Sequence, residues 1–180
     1  MKYIFLTEEK SMSEFLKTFL EKYGLAGFRV IPHEGKSHLK KSITAKFRAL
    51  NGLGVTFVVL IDQDSSDCLV LKSEIDAICR QVKGVDYKIR IACHELEAWF
   101  LGDTAALDLA FGTKLSRHAK NKIFRDPDRL GNAKQQLHKY IKTTGQINVA
   151  RKMAQAMTQD SIASNKSRSF HKFLTTIIHK

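Results

Sequence analysis

Residues 55–61, with the sequence VTFVVLI, place the strongest constraint on the fold of this chain. The segment is apolar and β-branched almost without interruption, which is typical of a strand buried on both faces. Shorter apolar runs predict three more strands, at 3–7, 28–32 and 87–93, and segments of helical spacing separate all four. Because strand and helix alternate, we predict an α/β fold with a four-stranded, mainly parallel sheet flanked by helices.

The helices between these strands are marked by residues suited to their ends. Ser11 and Glu14 stand three residues apart, a pair that predicts a capping box at the start of the first helix. Gly24 is placed to end that helix. Asp67 is a candidate N-cap for a helix over about 67–82.

The second half of the chain shows no convincing strand. Apolar spacing predicts three further helices there, over about 129–142, 148–158 and 170–178. The polar segment 160–165 is predicted to link the last two. We therefore predict an α/β core in residues 1–100, followed by a basic helical extension in residues 101–180 that packs on the core.

Charge is distributed unevenly between these two parts. Residues 1–100 hold 15 Lys and Arg against 13 Asp and Glu, a net charge of +2, whereas residues 101–180 hold 15 against 5, a net charge of +10. Such a basic surface is typical of proteins that bind DNA or RNA, and a solvated face that only aids solubility is the alternative. The candidate nucleic-acid contacts are Lys114, Arg117, Lys120, Lys122, Lys166, Arg168 and Lys172.

The three cysteines, Cys68, Cys79 and Cys93, show no C-x-x-C spacing, so neither a zinc site nor a disulfide framework is expected. No apolar stretch reaches transmembrane length, and the chain enters its first strand too early for a signal peptide. We therefore expect a cytoplasmic protein with no membrane partner.

Acidic residues follow three of the four predicted strands at the point where each strand ends. The C-terminal ends of parallel strands lie at one edge of the sheet, where ligands bind in such folds, so we expect these carboxylates to gather there. They repel one another unless a hard cation neutralises them, and Mg²⁺ commonly occupies carboxylate and water sites. The candidate ligands of Mg²⁺, or of Mn²⁺ in its place, are Glu8, Glu9, Asp62, Asp64, Glu95 and Glu97.

Asp62 and Asp64 form a D-x-D motif after the most apolar strand. On a loop both carboxylates can face one ion, or one each of a pair, as two-metal phosphoryl-transfer sites require. The motif alone is weak because Asp is common in turns, and Glu8 at the end of the first strand strengthens it. Of Glu95 and Glu97, we expect one to be a ligand or to support a ligand and the other to be a first-turn helix acid.

Lys36 follows Gly35 at a predicted strand-to-helix turn and therefore lies at the same edge of the sheet. It is a candidate contact to a scissile phosphate, with a solvent-exposed lysine at a helix start as the alternative. His33 and His94 also lie near the acids as candidates for a general acid or base, ranked below the carboxylates. The predicted catalytic residues are Glu8, Asp62, Asp64 and Lys36.

An acid after strand one and a D-x-D after strand three resemble the Toprim fold of topoisomerases, primases and nucleases of the overcoming-lysogenization-defect type. Pro127-Asp128 and Ser167-x-Ser169-Phe170 are similar to the pattern of the bacterial Toprim-like family catalogued as domain of unknown function 4276. So are four longer segments: 8–12 (EEKSM), 35–39 (GKSHL), 60–68 (LIDQDSSDC) and 90–103 (RIACHELEAWFLGD). The resemblance covers most of the chain, and residues 95–103 are its most specific part.

The resemblance implies a Toprim-like core and Mg²⁺-dependent phosphodiester chemistry. Many nuclease relatives carry a second acid one helical turn after the first, where this chain has Met12, and Glu9 is the candidate substitute. The metal positions of the family fall here on Glu8, Asp62 and Asp64, and the later acidic position on Glu95 or Glu97.

We therefore expect a metal-dependent nuclease, in which water attacks a phosphodiester and the basic half of the chain holds the strand. The resemblance adds an ATPase partner of the AAA or ABC type and a bacterial defence or mobile-element context. Trp99, Phe124 and Phe170 are candidates for base stacking or, from their helical spacing, for the core. The alternatives are a non-catalytic module that binds nucleic acid or docks on an ATPase, and, ranked last, a receiver-like phospho-acceptor domain.

Overall fold

Four parallel strands form the sheet that organises the protein. The computed structural model describes residues 2–142 and 145–177. The strands lie in the order β2-β1-β3-β4 with every neighbouring pair parallel, so the predicted α/β fold is confirmed. Two strands have the predicted bounds, one begins a residue later and one a residue earlier. They are β1 (Tyr3–Thr7), β2 (Phe28–Pro32), β3 (Thr56–Asp62) and β4 (Asp86–Ala92).

Helices connect the strands and make up most of the chain after β4. Among the described residues, no helix is both long enough and apolar enough to cross a membrane. Two short 3₁₀ turns cover Leu115–His118 and Pro127–Arg129. The α-helices are α1 (Lys10–Lys22), α2 (Lys36–Leu50), α3 (Cys68–Cys79), α4 (Glu97–Leu101), α5 (Thr104–Phe111), α6 (Lys122–Arg125), α7 (Ala133–Tyr140), α8 (Gln146–Ala156), α9 (Gln159–Ser164) and α10 (Arg168–Ile177).

Both faces of the sheet are buried, because successive side chains of a strand point to opposite sides. Tyr3 and Phe5 belong to one hydrophobic cluster, whereas Ile4 and Leu6 belong to the other. The second cluster is completed by α2 and α3 and includes no residue beyond Ile91. The first is completed by α1 and by the helices after β4, so that the C-terminal helices pack on one face only.

Of the two N-caps predicted for α1 and α3, the structure contradicts the first and confirms the second. The capping box predicted at Ser11 is wrong: the N-cap of α1 is Glu9, two residues earlier, and no side-chain capping bond forms. Ser11 Oγ instead donates to Glu9 Oε2 at 3.2 Å, within the first turn. Asp67 does cap α3, because its Oδ1 accepts the backbone N–H groups of Leu69 and Val70, each at 2.9 Å.

The polar segment 160–165 is not a linker, and that prediction is wrong. Most of it belongs to α9, which begins with a capping box in which Thr158 and Ser161 each accept the other's backbone N–H. Helix α5 and the turns before α7 were also missed by the apolar pattern. Residue 178, at the end of the predicted last helix, lies outside the described residues.

A close approach between two segments joins the end of the sheet to the last helix. Asn165 Nδ2 donates to the carbonyl of Trp99 at 2.9 Å, and Lys166 N–H donates to the carbonyl of Gly102 at 2.9 Å. A Cβ at Gly102 would lie 2.3 Å from Asn165 Oδ1, so the contact requires glycine. Residues 99–102 and 165–166 are therefore held at backbone contact.

Asp128 extends this contact to the first turn of α10. Its carboxylate accepts the hydroxyl of Ser167 at 2.7 Å, the backbone N–H of Ser169 at 2.8 Å and the hydroxyl of Ser169 at 3.2 Å. Ser169 Oγ in turn accepts the indole N–H of Trp99 at 2.8 Å. One carboxylate thus satisfies the buried polar groups that place α10 against β4.

Asp128→Ala should lower the free energy of unfolding by about 2–4 kcal/mol, because it leaves one buried N–H and two hydroxyls without their acceptor. Urea denaturation measures the loss. Asp126→Ala is the matched control, since Asp126 pairs at 2.9 Å with an exposed Arg129 and its removal should cost less than about 1 kcal/mol. Equal losses in the two variants would show that Asp128 contributes no more than a surface charge.

Candidate metal centre

The register of the central strands brings the first two acids together. Thr7 at the end of β1 stands opposite Leu60 of β3, so Glu8 reaches the level at which β3 ends. Glu8 is 7% exposed, and its Oε2 accepts the backbone N–H of Asp62 at 3.1 Å. The shared edge predicted for these residues is therefore a direct contact between the ends of β1 and β3.

Asp62 has the least favourable environment for an ionised carboxyl at this edge. Its Oδ1 is buried and has no hydrogen-bond partner among the described residues. Burial raises the pKa of the Asp62 carboxyl well above its usual range, and the neighbouring Glu97 and Glu8 carboxyls raise it further. Burial also raises the pKa of Glu8, against the opposing charge of Lys36. Without a cation, the folded protein disfavours ionisation of both groups.

Lys36 and Asp64 form a partly exposed ion pair at the same edge of the sheet. Lys36 Nζ lies 2.7 Å from Asp64 Oδ2, and the Lys36 side chain is 21% exposed against 54% for Asp64. The turn into α2 requires Gly35, whose φ of 91° disfavours other residues. Lys36 is therefore directed at the acids instead of extending into solvent, as the first of its two predicted roles requires.

The loop after β3 is held against the end of β4 by backbone contacts. Asp64 N–H donates to the carbonyl of His94 at 2.7 Å, and His94 Nδ1 donates to the carbonyl of Asp64 at 3.0 Å. Both residues have left-handed backbone, with φ of 53° and 57°, a conformation uncommon outside glycine and frequent at functional sites. Gln63, the middle residue of the D-x-D, joins this contact through Oε1, which accepts His94 N–H at 3.4 Å. The sequence pattern indicated no role for Gln63.

The two candidate histidines have different environments. His33 is 3% exposed, its Nδ1 donates to the carbonyl of Thr7 at 2.9 Å, and its Nε2 lies 2.5 Å from Ser42 Oγ. Burial lowers the pKa of His33, which keeps the ring neutral in this structural position. His94 uses only Nδ1, so its Nε2 has no partner among the described residues and stays available for proton transfer.

Glu95 and Glu97 also differ. Glu95 Oε2 accepts the backbone N–H of Lys134 at 2.8 Å, at the N-terminus of α7. Glu97 opens α4, and burial raises its pKa to about 7, with a further contribution from Glu95. Among the neighbouring carboxyls, Glu97 raises the pKa of Asp62 most. Glu97 therefore belongs to the carboxylate cluster, and Glu95 links that cluster to α7.

Met12, at the position where many nuclease relatives carry a second acid, is 1% exposed and lies in the hydrophobic core. Glu9 is exposed, and its charge raises the pKa of Glu8, Asp62 and Glu97. All six predicted carboxylates thus stand within electrostatic range of at least one other.

The arrangement fits a hard cation in its chemistry. In residues 2–142 and 145–177, no three His, Cys, Asp or Glu side chains already stand close enough to form a metal site. The buried, unpartnered Asp62 Oδ1 and the raised pKa values of Glu8, Asp62 and Glu97 nevertheless indicate negative charge that lacks compensation. Oxygen ligands with uncompensated charge are the donor set that Mg²⁺ takes.

The basic and aromatic candidates divide clearly by burial. All seven basic candidates, Lys114, Arg117, Lys120, Lys122, Lys166, Arg168 and Lys172, are exposed, and none forms an ion pair within the described ranges. Trp99, Phe124 and Phe170 are at most 2% exposed and belong to the core. They are therefore not available for base stacking.

Comparison with known proteins bears on the family and the fold. A family model described as domain of unknown function (DUF4276) matches residues 7–178. Comparison with curated proteins gave no match. The C-terminal region of the Burkholderia pseudomallei OLD protein is 17% identical, with a TM-score of 0.56 and coverage of 98% of each chain. The C-terminal region of the Xanthomonas campestris pv. campestris OLD protein is 16% identical, with a TM-score of 0.51, over 97% of this chain and 93% of that one. At such identities the similarity shows a shared fold.

Asp62→Asn should stabilise the metal-free protein and abolish its stabilisation by Mg²⁺. The substitution removes a buried, unpartnered charge, so the melting temperature in EDTA should rise by several degrees, at roughly 2–4 °C per kcal/mol. Thermal melts with EDTA and with Mg²⁺ measure both effects. Asp67→Asn changes the same charge and keeps a helix cap, so it should melt and respond to Mg²⁺ as the wild type does. A wild-type response to Mg²⁺ in Asp62→Asn would place the cation elsewhere.

Glu97→Gln should change how stability depends on pH. The pKa of Glu97 is raised from 4.5 to about 7 in the folded protein. Between these values the folded state keeps a proton that the unfolded state has lost, so wild-type stability should fall as pH rises from about 4.5 to 7, by up to about 3 kcal/mol.

Glu97→Gln should therefore raise the free energy of unfolding only slightly at low pH and most strongly above pH 7. Urea unfolding in EDTA below and above this range measures it. Glu21→Gln, at an exposed position of α1, is the control and should show no such trend. An equal gain at both pH values would mean that Glu97 does not titrate as stated.

Proposed function

The chain belongs to the family described as domain of unknown function (DUF4276). We propose that it is a metal-dependent nuclease. The reaction would be hydrolysis of a phosphodiester bond in DNA or RNA. Water would supply the oxygen that bonds to phosphorus, while the bond from phosphorus to the leaving oxygen breaks. The fold shared with the C-terminal region of OLD proteins is consistent with the proposal.

The observation that carries the proposal is the buried, unpartnered Oδ1 of Asp62. A buried carboxylate oxygen without a partner is costly unless a ligand satisfies it. Glu8, Asp62, Asp64 and Glu97 are the residues that would hold Mg²⁺ or Mn²⁺, with Glu9 and Glu95 at the margin of the cluster. When bound, the cation would lower the pKa of a coordinated water and offset the charge on the phosphate.

Other side chains have roles that follow from their contacts. The Glu8 carboxylate, held by Asp62 N–H, fixes the spacing between the ends of β1 and β3. Lys36, paired with Asp64, would contact a non-bridging phosphate oxygen and offset the charge that develops there. His94 Nε2 is the candidate acceptor of the proton that the attacking water loses.

We propose that the exposed basic residues of the C-terminal half contact the nucleic acid, because their charges have no ion-pair partner within the described part of the chain. An ATPase partner of the AAA or ABC type, and a role in bacterial defence or in a mobile element, are also proposals. They rest on the family resemblance.

Asp62→Asn and Asp64→Asn should each reduce cleavage by at least about 100-fold, since losing a metal ligand removes several kcal/mol of transition-state stabilisation. Purified protein is incubated with plasmid, single-stranded DNA and tRNA, with Mg²⁺, with Mn²⁺ and with EDTA. Cleavage should require the metal, and Asp67→Asn should cleave as the wild type does. Full activity in either test variant would move the chemistry to other residues.

A non-catalytic binding module is the second candidate. It is favoured by one observation, that no three of the described acidic or other metal-binding side chains already form a metal site. Binding of nucleic acid without cleavage under every metal condition would select this function over the nuclease.

A further inference from the structure

A cleft runs along β4, which is an edge strand of the sheet. It has a volume of about 330 Å³, and its lining includes Lys72 of α3, Ile89 and Ile91 of β4, and Lys172 of α10. Cys68 and Cys93 line the end nearest the carboxylates, since Cys93 immediately precedes His94 and Cys68 begins the helix after the D-x-D loop. We call this space the β4 cleft.

The two sides of the β4 cleft carry positive charge. Lys72 lies one turn after Cys68 on α3, while Arg168 and Lys172 stand four residues apart on α10 and so share one face of that helix. All three are exposed and without an ion pair in the described ranges.

Two acids also line the β4 cleft, and both are engaged. Asp126 pairs with Arg129, and Asp128 accepts hydrogen bonds from Ser167 and Ser169. Against these two acids the cleft lining holds five basic residues, Lys72, Arg90, Arg129, Arg168 and Lys172, so its net charge is +3.

Arg90 gives the strongest indication of a ligand. Its Nε donates to Thr176 Oγ1 at 2.6 Å and to the carbonyl of Lys172 at 3.1 Å, and its Nη1 donates to the carbonyl of Ile89 at 2.9 Å. The remaining nitrogen, Nη2, has no partner among the described residues, and no carboxylate pairs with the guanidinium. Burial lowers the pKa of Arg90. Nη2 is not among the buried side-chain atoms that lack a partner, so it is open to solvent and to an anionic ligand whose charge would complement the guanidinium.

We propose that the β4 cleft binds the sugar-phosphate backbone of a single nucleic-acid strand and directs it to the carboxylate edge. The volume of about 330 Å³ gives room for nucleotide-sized groups and not for a segment of duplex. Phosphates would meet the basic walls, and sugars or bases would lie on the isoleucines. This inference rests on the proposed function and adds the form of the substrate and its path. None of the basic residues in 114–122 lines the cleft.

The test is binding in EDTA, so that cleavage plays no part. Anisotropy of labelled oligothymidylate and oligouridylate is measured with the double variant Lys72→Glu/Lys172→Glu across a range of salt concentrations. Affinity should fall at least about tenfold. The slope of log K against log salt should become shallower by about 1.4, because each single-strand phosphate contact contributes about 0.7.

The matched control is Lys41→Glu/Lys83→Glu, which changes the net charge equally at exposed positions outside the cleft. It should leave the slope unchanged. Bound oligonucleotide should also slow alkylation of Cys68 and Cys93, which are partly exposed at the cleft, while Cys79 is buried in both states.

Three results would overturn the inference: equal losses in the two double variants, an equally large loss for duplex DNA, or unprotected cysteines at saturation. Charges beside an edge strand can also serve only to prevent pairing with another chain. Unchanged oligonucleotide binding together with new dimers of the Lys72→Glu/Lys172→Glu protein, seen by size-exclusion chromatography, would select that role instead.

The proposed function and this inference can fail separately. Cleft-dependent binding without metal-dependent cleavage would remove the nuclease and leave the cleft as a strand-binding site. Metal-dependent cleavage with cleft-independent binding would remove the cleft alone.

Discussion

Parallel pairing of β1 with β3 is the interaction on which the rest of the structure depends. These are the two central strands, and their side chains supply both hydrophobic clusters, so helices must cover both faces of the sheet. The same register places Glu8 against the backbone of Asp62. Pairing and burial along the two strands stabilise the fold. They also fix acidic groups side by side at the strand ends, where these groups repel one another.

The carboxylates at this edge of the sheet lower the stability of the folded protein. Burial and mutual repulsion raise the pKa values of Glu8, Asp62 and Glu97, which means that their ionised forms oppose folding. The buried, unpartnered Oδ1 of Asp62 adds to this cost. Costs of this kind are commonly found at sites that bind a ligand, and the sheet core below offsets them.

Several residues that carry the family resemblance have structural tasks. Trp99 and Gly102 contact the segment before α10, and Asp128 joins Ser167 and Ser169 to that contact. Together they hold α10 beside β4, where its basic face forms one wall of the β4 cleft. The polar network therefore connects the stability of the C-terminal helix with the surface that we propose for the strand.

The sequence by itself determined the four strands, their order of alternation with helices, and the edge shared by Glu8, Asp62 and Lys36. The spacing of apolar residues reflects which side chains of a local segment are buried, and it therefore predicts where each strand begins and ends. Only the tertiary structure decided that His33 is structural and that His94 Nε2 and Arg90 lack a hydrogen-bond and an ion-pair partner, respectively, among the described residues. It also decided that Glu97, and not Glu95, raises the pKa of Asp62. These distinctions depend on partners up to 86 positions away in the chain, as in the contact of Arg90 with Thr176, and packing alone brings such partners together.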